Sequence, residues 1–282
     1  MGKMETYTHS GIKDYLQLLK KVMLSSKHKA RANYKNYLKI NEIVRKKYDL
    51  DLKRLKILDI GCGQRYPYTF LLSKDNQVIG IDLDIILNKH DLRVYKAILS
   101  QNGFNRFLKT FLRFTFFDRQ YFKELSKLNK SGKKKRQILM HMNAESLRFH
   151  DNSFDFIISV LSFEHFKNVE KCVKEISRVL KKGGHFYISI DVYSGFHGGH
   201  ELNPKKPWNH LINKNFKPNV FLNKMRLDEY KSIFSKYFDK IEFVHEENQK
   251  IKELLTPELK NKLLNYSEIE LTMKELIVLG EK

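Results

Sequence analysis

Short apolar runs alternate with helix-like spacing along most of the chain. Residues 56–60 (KILDI), 77–82 (QVIGID), 138–142 (ILMHM), 154–159 (FDFIIS) and 185–191 (HFYISID) are too short for helices and too apolar for loops. Each reads as a strand, and 154–159 as a central one buried on both faces, the pattern of a parallel sheet. Residues 240–245 and 270–279 read as two more strands. Between the strands, residues 66–73, 169–180 and 227–238 place apolar positions at near-helical intervals. The second of these stops at Lys181-Lys182-Gly183-Gly184, with cations in its last turn and glycine beyond. Alternating strand and helix predicts an α/β fold: a doubly wound, seven-stranded, mostly parallel sheet with helices on both faces.

Two segments stand outside that alternation. Residues 11–48 are helical in pattern, with Tyr15, Leu18, Leu19 and Val22 followed by Tyr34, Tyr37, Leu38 and Val44, and a break is predicted at Ser25-Ser26. Residues 1–50 are therefore an expected helical cap, and 51–282 the α/β domain. Within that domain, residues 88–137 are too long for one crossover. Phe104, Phe107, Phe111, Phe114 and Phe117 recur with Arg106, Lys109 and Arg113 among them, which predicts a basic amphipathic helical insertion. Residues 193–218 crowd glycines, prolines, the only tryptophan and three histidines into a loop too aromatic for disorder. Residues 246–266 read as helical, with no assigned role.

Charge sharpens the division. The formal net charge is +21, and residues 1–50 hold 12 Lys/Arg against 4 Asp/Glu, while 88–136 hold 14 against 3. The α/β core is thus nearly neutral and the additions carry the surplus. An anionic partner fits such additions: an anionic small molecule, nucleic acid, or a peripheral membrane surface. Lysines outnumber arginines 41 to 12, which weakens the nucleic-acid reading. Two cysteines, Cys62 and Cys172, cannot build a disulfide framework, and the first residues lack the apolar core of a secretory signal. A cytoplasmic location is expected.

The densest chemistry lies between residues 54 and 84. Strand, glycine turn, helix and strand make a βαβ unit, whose ligand sits beyond the carboxyl ends of the strands. The turn holds Gly61-Cys62-Gly63, preceded by Asp59, and Asp82 ends the second strand. A dinucleotide fingerprint would need a third glycine where Tyr66 stands. Asp82 is placed to accept ribose hydroxyls, and a carboxylate at position 59 suits a cationic ligand rather than a phosphate. A ribose with a positively charged tail is the expected ligand.

Five motifs in order, LDIGCG at 58–63, GID at 80–82, NAESL at 143–147, FDFIISVLSFEH at 154–165 and LKKGGHFYISI at 180–190, resemble those of class I, Rossmann-like S-adenosylmethionine-dependent methyltransferases. The resemblance covers roughly residues 50–192 apart from the insertion. It implies a transferase with S-adenosyl-L-methionine as cofactor, held by Asp59, Gly61, Cys62, Gly63, Asp82, Leu83, Asn143, Ala144, Glu145 and Ser159. It also implies that the last strand runs antiparallel between the fifth and sixth. Two positions depart from the family pattern: Arg65 stands where a third glycine is usual, and Asn143 where an acid is usual, its carbonyl oxygen still able to accept from the adenine amine.

The acceptor is read from what surrounds the strand ends. A hydroxyl acceptor needs a base near neutral pKa, and His165, His197, His200 and His210 lie along the expected acceptor edge. His197, His200, Glu201 and His210 match no strict ligand spacing, so no metal is assigned. The motif used on nucleobase and amide nitrogens is absent after the fourth strand, and neither cysteine is placed for pyrimidine-carbon chemistry. The expected function is methyl transfer to a small-molecule hydroxyl with a histidine base. An RNA methyltransferase using the basic additions and a non-catalytic cofactor-binding scaffold are the alternatives.

Overall fold

The computed structural model describes residues 12–87, 89–130, 137–200, 207–218, 220–247 and 249–282. The chain divides into two compact units, one of residues 1–47 and 87–136, the other of residues 48–86 and 137–282. In the first unit, α1 (Ile12–Tyr48) is a single helix whose final residue belongs to the second unit. The break expected at Ser25-Ser26 does not occur. Ser26, Ala30, Ile40 and Val44 are all buried, so one apolar stripe runs through the serine and packing overrides its weak propensity.

The insertion is not one amphipathic helix. It holds α3 (Leu92–Leu112), a π-helical turn over Arg113–Asp118, and α4 (Arg119–Leu128). Gly103 breaks α3 with φ 79° and ψ 172°, and the wide turn then rotates the phenylalanine stripe. Phe107 and Phe111 pack on Tyr95, Phe114 meets His90 edge-on, and Phe104 stays exposed. Arg31 pairs with Glu124 at 2.7 Å, and Asn33 donates to the Tyr121 hydroxyl at 2.6 Å. The basic run 133–136 lies outside the described residues. Among the described residues no helix is long and apolar enough to cross a membrane.

The second unit is built on the seven-stranded sheet β1 (Lys56–Ile60), β2 (Gln77–Asp82), β3 (Ile138–His141), β4 (Phe154–Val160), β5 (Leu180–Ile190), β6 (Lys240–Glu247) and β7 (Met273–Glu281). Its order is β3-β2-β1-β4-β5-β7-β6. The first five strands pair in parallel, and β7 runs antiparallel to both β5 and β6. Strand order reverses between β1 and β4, the position where such sheets open a crevice at their carboxyl ends.

The central strands form because their residues are apolar on both faces, whereas β3 lies at the sheet edge with Ile138 exposed. Ile57, Leu58, Phe156, Ile157, Ile158, Phe186 and Ile188 are all inaccessible to solvent. Helix α2 (Pro67–Leu72) follows β1, and α5 (Val169–Val179) lays Val169, Cys172, Val173, Ile176 and Val179 into the core. The Asn168 side chain caps α5 by accepting from the Lys171 amide. Two boundaries differ from the sequence pattern. Leu180 already pairs with Phe154, and the cation–glycine run that was expected to end a helix is a bulge, with Gly183 at φ 71°, before His185 pairs with Phe156. Residues 163–165, ahead of the helix expected from 169, form a separate 3-10 turn. The expected start of the last strand is instead a short helix, Glu268–Thr272, set by a Ser267–Glu270 capping box.

Candidate active site

At the carboxyl end of β1 the backbone turns through Gly61 (φ 68°) and Gly63 (φ 71°), a left-handed conformation cheap only for glycine. The amides of Gly61 and Cys62 both donate to the Ile81 carbonyl, fastening the turn to β2. A Cβ on Gly61 would lie 2.6 Å from the Ser162 Cβ, whereas one on Gly63 would meet nothing within 4 Å. The Asp82 carboxylate braces the turn from the other side, accepting the Gly63 amide and the Asp84 amide at 2.8 Å each.

Gly63 opens onto a cavity of about 730 Å³. Its walls come from the ends of β2 (Ile81–Asp84), the segment after β3 (residues 142–145), the turn after β4 (Leu161, Ser162, residues 165–167) and the chain at Val220 and Phe221. Gly61, Gly63, Asp82, Leu83, Asn143, Ala144 and Glu145 all line it. These residues fit a nucleoside with an amino-acid tail. The Asp82 carboxylate lines the cavity as an acceptor of the kind that ribose hydroxyls donate to. Ile81, Leu83 and Met142 give an apolar wall for a flat base, and the bare Gly63 lets a ligand approach the backbone. Asn143 Oδ1 accepts from the Glu145 amide at 2.9 Å, which fixes its carboxamide and leaves one lone pair.

Three residues expected at the cofactor stand behind the cavity instead. Asp59 is 1% exposed, and its Oδ2 accepts from the Thr69 amide (2.9 Å) and the Thr69 hydroxyl (2.6 Å). It ties β1 to α2, and burial pushes its carboxyl up to about 7, with the Asp82 charge adding to the rise. The picture of two carboxylates facing one cationic ligand is corrected accordingly: among that pair, Asp82 alone lines the cavity. Cys62 is buried, and burial raises its thiol well above the ordinary value. Ser159 is fully buried, donating to the Ile60 carbonyl at 2.8 Å and sharing a hydrogen bond with Ser162.

The four histidines separate. His210 is buried, its Nε2 donating to the Tyr193 carbonyl at 2.8 Å, so it secures the loop. His197 packs edge-on against Phe196. His165 lines the cavity, and His200 stands beside it with ring centroids 5.0 Å apart. The Nδ1 of His165 faces the Phe221 carbonyl at 2.8 Å. A carbonyl only accepts, so Nδ1 carries the proton and Nε2 keeps its lone pair when the ring is neutral. Burial lowers the His200 pKa, with His165 adding to the effect. Glu201 lies outside the described residues.

A buried acid, Glu164, and a half-buried one, Asp191, complete this end, and the second was not anticipated. Glu164 is 3% exposed, with Oε1 at 3.9 Å from His165 Nε2 and 4.0 Å from His200 Nε2. Asp191, beyond the end of β5, has Oδ2 3.9 Å from His200 Nε2. Burial raises both carboxyls to about 7. Asp191 and Phe221 were missed in the sequence. The first follows a strand end, a readable signal; the second contributes a backbone carbonyl, which has none.

Residues 104–188 match the family described as "Methyltransferase domain". The uncharacterized methyltransferase YcgJ of Bacillus subtilis (strain 168) is 47% identical over 51 residues, 18% of this chain and 20% of that protein. The uncharacterized protein YafE of Escherichia coli (strain K12) is 44% identical over 54 residues, 19% of this chain and 26% of that protein. The chain thus spans about a fifth to a quarter of the curated relatives it matches. Among solved structures, the PH0226 protein of Pyrococcus horikoshii OT3 is 19% identical, with a TM-score of 0.49, over 88% of this chain and 91% of that one. Phosphoethanolamine N-methyltransferase 2 of Haemonchus contortus, in complex with S-adenosyl-L-methionine, is 18% identical, with a TM-score of 0.48, over 86% of this chain and 52% of that one. The strand order and the antiparallel β7 between β5 and β6 agree with the fold that the ordered motifs imply, and residues 104–188 of the chain are similar to the methyltransferase domain family.

Proposed function

We propose that the protein moves a methyl group from S-adenosylmethionine to a small-molecule acceptor, at a hydroxyl oxygen, with a histidine receiving the proton. One observation carries the reading: the cavity that Gly63 and Asp82 face is also lined by His165, whose Nε2 lone pair is kept by the Nδ1 contact to Phe221. When bound, S-adenosylmethionine supplies an electrophilic methyl group for in-line displacement. Asp82 holds the ribose, and Gly61 and Gly63 admit the amino-acid end against the backbone. Ile81, Leu83 and Met142 exclude water from the base. The turn at Leu161 and Ser162 brings the acceptor to the end of β4, where proximity and alignment supply much of the rate. His165 Nε2 accepts the hydroxyl proton as the carbon–oxygen bond forms, with His200 beside it.

The test is transfer of an isotopically labelled methyl group to a panel of hydroxylated small molecules, run beside total RNA. Labelled hydroxyl product is expected, with His165→Ala lowering kcat by roughly 10²–10⁴-fold while S-adenosylhomocysteine affinity is kept. Label found only in RNA would replace this reading with the second one, which the basic surplus of residues 1–50 and 88–136 supports. RNA binding would then weaken steeply with salt.

A further inference from the structure

We infer that Glu164, His165 and His200 form a binding site for one divalent transition-metal cation at the acceptor end of the cavity. This site rests on the acceptor reading above and deepens it. One donor atom from each of the three lies within 4.8 Å of the others. Both histidine Nε2 atoms approach the same Glu164 oxygen, at 3.9 and 4.0 Å. A cation with bonds of about 2.1 Å spans donors up to about 4.2 Å apart, so side-chain shifts of about an ångström complete the set.

Two further observations point to a cation rather than to chance crowding. Glu164 is 3% exposed, and its Oε2 has no hydrogen-bond partner among the described residues. A buried carboxylate is costly unless it is paired or coordinates a metal. The second is the orientation of His165: its Nδ1–H donates to the Phe221 carbonyl at 2.8 Å, the arrangement by which ligating histidines fix their tautomer and present the other nitrogen. Asp191, 3.9 Å from His200, adds a second acid at the edge of the set.

Two imidazoles and a carboxylate form a mixed nitrogen–oxygen set that suits zinc, iron or manganese. Three protein donors leave a coordination position open, as in catalytic rather than structural sites. His165 lines the cavity, so an acceptor hydroxyl has access to that position, and an oxygen bound to a dication loses its proton more readily. The two histidines would then serve as ligands, and coordination would do what a free histidine base otherwise does. The set escapes a spacing search because Glu164 and His165 follow β4 while His200 follows β5.

The test is calorimetric titration of chelator-treated protein with Zn²⁺ and, separately, Mn²⁺. One cation per chain is expected for Zn²⁺, with affinity at least about tenfold weaker in Glu164→Gln and in His200→Ala. S-adenosylhomocysteine titrated into the same variants reports whether the cofactor half is intact, and unchanged affinity is expected. No saturable Zn²⁺ binding by the native chain, or equal binding by both variants, overturns the site. Zn²⁺ binding without S-adenosylhomocysteine binding would keep the cation site and overturn the methyltransferase reading; the reverse would do the opposite.

Discussion

Replacing Asp59 by asparagine should make the protein more stable at alkaline pH and change little in acid. The carboxyl is buried behind the glycine turn and its pKa is raised from 3.8 to about 7. A raised acid pKa means that the folded state binds the proton more tightly than the unfolded one. Stability therefore falls as pH climbs from the unfolded value toward 7, and the penalty is complete above it. A shift of roughly three units corresponds to about 4 kcal/mol at most. Asparagine carries no charge, and its Oδ1 can still accept from Thr69, at a loss of about 1 kcal/mol for the weaker bond. Urea unfolding of both proteins between about pH 4.5 and pH 8 measures the difference, which cancels the other raised acids Glu164 and Asp191. The variant should gain on the native protein through this window by a few kcal/mol. A difference flat with pH would mean that the Asp59 carboxylate is ionised without cost, and the desolvation reasoning would fail.

Asp82→Ala should weaken S-adenosylhomocysteine by roughly 10²–10⁴-fold in calorimetry, since two charge-assisted bonds are lost; unchanged affinity would put the ribose elsewhere. Because Asp82 also braces Gly63 and Asp84, the same variant should show faster amide exchange in the glycine turn. His210→Ala should lower unfolding stability by about 1–3 kcal/mol while leaving kcat unchanged, because its Nε2 is engaged by Tyr193; a selective loss of kcat would return it to the reaction. Gly61→Ala combines a left-handed φ with a 2.6 Å approach to Ser162, so thermal unfolding should shift down by the equivalent of about 1–3 kcal/mol; an unshifted transition would show that the turn adapts freely.

The sheet was legible because strands buried on both faces spell near-continuous apolar runs, and β1 and β2 fall on the expected residues. Directions of side chains were not. Asp59 sits in a motif that names a ligand, yet strand alternation and the following helix bring it to Thr69. Ser159, next along from the buried run of β4, turns to Ile60 for the same reason. The histidines failed differently. All four share residue type and neighbourhood, but only the paths of two separate loops decide that His200 meets His165 while His210 turns to Tyr193. Local periodicity carries no information on such meetings. The insertion's phenylalanines misled because a glycine kink and one wide turn shift helical phase, which a fixed repeat cannot register.

The bracing of Gly63 by Asp82 bears on how a ligand would be captured. Fixing a backbone residue costs about 1–2 kcal/mol, and here the fold meets that cost before any nucleoside arrives. The cradle is set in advance, so contacts made on entry count almost wholly toward residence time. A loosened turn would show itself first in faster ligand escape, with the rate of capture nearly unaltered.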